Sequence, residues 1–70
     1  MENKQLVIMA NQIASFFMAY PDENEGIQGV ANHIEKFWSP KMRKQLMEII
    51  NNNDSQTEIL EYVLKASKHF

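Results

Sequence analysis

A chain of 70 residues without cysteine is a single domain, 1–70, near the size at which one core yields only a few kcal/mol of net stability. Lacking thiols, it has no disulfide framework and no thiolate for zinc or an iron–sulfur cluster. Its net charge of −2 conceals a local excess of base: residues 36–44 carry Lys36, Lys41, Arg43 and Lys44 with no acid, between two acidic flanks. That charge is too small and too framed by acid for a general nucleic-acid footprint. No apolar run approaches the ~20 residues of a membrane span, and the opening MENKQ lacks a signal peptide's basic region and apolar core. A soluble cytoplasmic protein is expected.

The pattern predicts an all-α fold, a small bundle of three to four short helices at about 4–20, 23–38, 40–52 and 56–68. Along the first, Leu6, Met9, Ala10, Ile13, Phe16, Phe17 and Tyr20 share one wide apolar face, and Pro21 closes it. Val7, Ala14 and Met18 form a second apolar line, a surplus that suits docking. Asp22 with Glu25 three residues on reads as a capping box opening helix two, whose face is Ile27, Val30, Ala31, Ile34, Phe37 and Trp38. Ser39 before Pro40 ends that helix and serves as N-cap of the third, with Pro40 as its first residue.

Met42, Leu46, Ile49 and Ile50 make the stripe of helix three. Residues 51–54 read as a turn, and Ser55 with Glu58 as a second capping box. The last helix offers Ile59, Val63 and Ala66, flanked by Leu60 and Leu64. Nothing alternates with a period of two, so no strand is expected.

No catalytic signature appears: there is no HExxH pair and no phosphate-binding glycine loop, and His33 and His69 are the only imidazoles. No catalytic, cofactor-binding or metal-binding residue is assigned. Gly26 and Gly29 each cost a helix roughly 0.5–1 kcal/mol relative to alanine. With His33 they lie on one side of helix two, which permits either a tight contact within the domain or the approach of another molecule. The stretch HIEKFWSPKMRK gathers Phe37 and Trp38 beside Lys41, Arg43 and Lys44 at a positive helix start, where an anion is favoured. A solvated face with Lys44 and Glu48 paired at i,i+4 is the plainer account.

The segments ANQIASFFMAYP and GVANHIEKFWSPKMRKQL closely resemble the delta subunit of soluble, NAD-dependent, molybdenum-containing formate dehydrogenases. The resemblance covers residues 6–47 and rests on Asn11, Gln12, Ile13, Phe17, Pro21, Gly29, Val30, His33, Ile34, Phe37, Trp38, Pro40, Met42 and Arg43. It implies a non-catalytic accessory chain that binds the large catalytic subunit. Molybdopterin, iron–sulfur clusters, FMN and NAD would then belong to the other subunits, and none to this chain. His33, Trp38, Lys41, Arg43, Lys44, Gly26, Gly29, Asn11 and Gln12 are the candidate partner-binding residues. Two alternatives stand beside this reading: a helix-turn-helix-like regulator over 23–52 that binds DNA, and a free-standing homodimer using the Gly26/Gly29 face.

Overall fold

The computed structural model describes residues 2–52 and 58–70. Its helices are α1 (Asn3–Phe17), α2 (Glu23–Phe37), α3 (Pro40–Asn52) and α4 (Glu61–Ala66), with a 3₁₀ turn over Ser67–His69, and no strand occurs among the described residues. α1 and α2 form the central pair, each touching α3 and α4. Leu6, Val7, Val30, Ile34, Leu46 and Val63 are the largest fully buried side chains. Each contributes about 1.5–3 kcal/mol through removal from water.

The helix starts follow local chemistry. Asp22 Oδ1 accepts from the Asn24 and Glu25 amides at 2.8 and 3.4 Å, and Ser39 Oγ accepts from the Met42 amide at 3.2 Å. Each bond satisfies a donor that the first helical turn leaves unpaired.

α1 departs from expectation in two ways. It stops at Phe17 rather than Tyr20, and the chain tightens through bonds from the Ala19 amide to the Phe16 carbonyl and from the Tyr20 amide to the Phe17 carbonyl. The cause is Pro21: as the residue four beyond Phe17, it has no N–H to give that carbonyl. Tyr20 supplies one donor instead, and the Tyr62 hydroxyl supplies another at 3.4 Å. The buried side is also different. Val7 and Ala14, expected as a surplus line for docking, are fully buried, whereas Phe16 is 68% exposed. The small Ala10 and Ala14 let α1 pack closely, and the bulky edge is left outside.

The last helix begins at Glu61, not at 56, because Leu60 is extended. Asn11 explains this geometry: its Nδ2 donates to the Glu58 carbonyl at 2.8 Å, and its Oδ1 accepts from the Leu60 amide at 3.0 Å. One amide from α1 thus fixes the approach to α4. α3 spans 40–52 as expected, so Asn51 and Asn52 belong to it and not to the turn also read over 51–54. The rest of that turn and Ser55 of the expected capping box lie outside the described residues. Asn11→Ala removes both bonds and is expected to cost about 1–2 kcal/mol, read by urea denaturation at an unchanged m-value.

Lys65 on α4 meets Glu23 on α2 at 2.7 Å, with both side chains about half exposed. The hydrogen bond to Glu23, followed by that carboxylate's charge, holds the Lys65 pKa above its ordinary 10.5. A raised lysine pKa adds stability that is present below 10.5 and is lost as pH climbs through the raised value. Glu23→Gln should therefore lower Tm slightly and by a constant amount through the neutral and mildly alkaline range. That difference should narrow as pH climbs through the lysine range in melts followed by circular dichroism, leaving the part owed to Glu23 in the first turn of α2.

Candidate functional site

A groove of about 480 Å³ lies between α1 and α2, walled by Met9, Gln12, Ile13 and Phe16 on one side and closed by Phe17, His33 and Trp38. Met9, Ile13 and Phe16 recur at helical spacing, so α1 presents a linear apolar wall about two turns long. The His33 ring lies 4.8 Å from that of Phe37 and 6.3 Å from that of Phe17. Phe16 packs edge-on to Phe17 at 5.1 Å. Phe16 and Phe37, two-thirds exposed, are the largest apolar groups left in water.

The residues singled out in the sequence part into three sets. Gln12, His33 and Trp38 meet in the groove, though Trp38 contributes one face to it and is otherwise buried at 6% exposure. Of the aromatic pair, Phe37 is the exposed member. Its exposure was not separable by periodicity, because it lies at the edge of the α2 stripe beside His33.

Gly26, Gly29 and Asn11 serve contacts within the chain. A Cβ added at Gly26 would overlap the Tyr62 hydroxyl and approach the Phe17 carbonyl oxygen to 2.7 Å, and one at Gly29 would come within 2.5 Å of the Phe17 ring. The space opened by the glycines is therefore filled by Phe17 and Tyr62, which leaves no free glycine face for a second copy.

The basic residues form the third set. Arg43 Nη1 donates to the Glu35 carbonyl at 3.4 Å, placing its charge at the negative end of α2. Lys41 and Lys44 are exposed on the first turns of α3, with exposed Glu48 one turn further, and no ion pair joins Lys44 to Glu48 among the described residues. Lys36 Nζ lies 5.5 Å from the centre of the Phe37 ring. With Arg43 engaged on α2, the exposed face of α3 has little base to offer a DNA groove.

Across residues 5–67 the chain matches the family described as NADH-dependent formate dehydrogenase delta subunit FdsD. It belongs to that family. Comparison with curated proteins gave no match, and comparison with solved structures gave none either. The family match runs through α4, well beyond the 6–47 covered by the sequence resemblance, so the helix held by Asn11 and Tyr62 is part of the delta-subunit pattern.

The chain has no cysteine, and among the described residues no three His, Asp or Glu side chains gather as a metal site. No helix among the described residues is long and apolar enough to cross a membrane.

Proposed function

We propose that this delta subunit is a non-catalytic accessory chain that docks on the large catalytic subunit of a cytoplasmic formate dehydrogenase and supports its assembly, stability or cofactor loading. The molybdopterin, iron–sulfur clusters, FMN and NAD of that enzyme are held by its other subunits. The observation that carries the reading is the pair Phe16 and Phe37, left two-thirds exposed beside an open apolar groove in a chain of the delta-subunit family. Apolar surface of this kind, rimmed by polar groups, marks a protein contact.

The test is affinity purification of the tagged chain from its native cells grown with formate and molybdate, followed by mass spectrometry. Near-stoichiometric recovery of a large molybdopterin-binding subunit is expected. Recovery of the delta chain alone, or with DNA, overturns the proposal.

A further inference from the structure

No residue lining the groove bears a carboxylate; its polar groups are Gln12 and His33. Base collects beside it. Lys36 stands over Phe37, and the groove wall at Trp38 is followed at once by α3, whose first turn has no acid and carries Lys41. Among the described residues the ion pair present is Lys65–Glu23, so Lys36, Lys41 and Lys44 face solvent without an acidic partner there. This is unusual economy in a chain with nine acids against seven bases. The cations at the start of α3 also oppose its macrodipole, an arrangement that an incoming anion relieves.

The shape is equally restrictive. The apolar wall of α1 is two turns long and ends on the exposed Phe16, while the exposed Phe37 packs at 4.8 Å against His33, which lines the groove. A small molecule would be enclosed over most of its surface, which this groove does not do. A helix laid between two helices fits such a stripe, with side chains at i, i+3 or i+4, and i+7 entering it.

Resting on the accessory-subunit reading, we infer that the groove receives an amphipathic helix of the large catalytic subunit, its apolar face set between α1 and α2 and acidic residues at its flank meeting Lys36 and the start of α3. Burial of Phe16 and Phe37 supplies affinity, while the lysines set the direction in which the helix lies and speed encounter.

The experiment uses the assembled complex. A delta subunit carrying p-benzoylphenylalanine in place of Gln12 is purified with its partner and irradiated, and the joined peptide is sequenced. The expected product is a helical-period apolar segment of the large subunit with two or more acids within about a turn of it. In parallel, Lys36→Glu/Lys41→Glu is expected to weaken the complex about tenfold at low salt, an effect that disappears in roughly 1 M salt. An intact complex in which position 12 joins nothing, joins a segment without acids, or joins a second delta chain overturns the inference and leaves the accessory reading standing. So does a charge-reversed variant of unchanged affinity. Failure of the unsubstituted chain to recover the large subunit overturns both.

Discussion

Phe16→Ala/Phe37→Ala is expected to release the delta subunit from its complex while leaving its own fold intact. Both rings are about two-thirds exposed, so the isolated domain loses little: the edge contact of Phe16 on Phe17, the tilted contact of Phe37 on His33 and the Lys36 ammonium over Phe37. Alanine returns part of that loss through better helix propensity, and the net change in stability should stay within about 1 kcal/mol. In the proposed complex the same rings would be withdrawn from water. Truncating two such anchors costs roughly 3 kcal/mol, or about 100-fold in Kd. Titration by biolayer interferometry against the immobilised large subunit reads the affinity, and a urea melt reads the fold. Tight binding by a folded double variant would remove the aromatic edge from the interface.

Gly26→Ala should do the opposite, damaging the fold first. Alanine favours a helix interior by about 0.8–1 kcal/mol over glycine. Here that gain is outweighed, because the new methyl overlaps the Tyr62 hydroxyl and crowds the Phe17 carbonyl. The Tyr62 side chain can swing aside, but the carbonyl belongs to the end of α1 and moves only with the helix. Overpacking of this kind costs about 1–3 kcal/mol, and the Tyr62 hydroxyl also loses its place between the Phe17 and Glu23 carbonyls. A net loss of about 2 kcal/mol is expected, a large part of what a domain of this size holds. Adding Tyr62→Phe removes one of the two collisions, so the double variant should recover part of the loss instead of adding to it. Simple additivity in denaturant melts would mean that Tyr62 and Gly26 do not share the contact.

The helices were largely legible because their starts are written in adjacent residues: Asp22, Ser39 and Pro40 act within one turn. The end of α1 was misread by three residues for a reason that is local but indirect, since Pro21 withdraws a donor from Phe17 and the helix tightens before reaching it. The buried side of α1 was not legible. Its apolar residues cover more than half the helical wheel, so periodicity cannot say which edge turns inward. The side that turns inward carries the small Ala10 and Ala14, both fully buried. The start of α4 depends on Asn11, 47 residues from Glu58, and no local pattern carries a bond of that reach. In the site, Gln12, His33 and Trp38, three of nine candidate residues, line the groove together, while the exposure of Phe16 and Phe37 depends on the packing itself.

The ties on α4 also impose an order of events at the ribosome. A six-residue helix is far below the length that holds together alone in water. The amide that fixes the approach to it sits on Asn11, and the carbonyl acceptors of Tyr62 sit on Phe17 and Glu23; all three are made before α4. The early helices thus form a half-finished cradle, with Gly26 uncovered and the Phe17 carbonyl bonded to Tyr20 alone, and α4 closes it. A chain cut before Glu58 would keep the residues of the aromatic edge but lose the Tyr62 donor and the bonds to Asn11, so α4 and the α1–α2 pair complete one another.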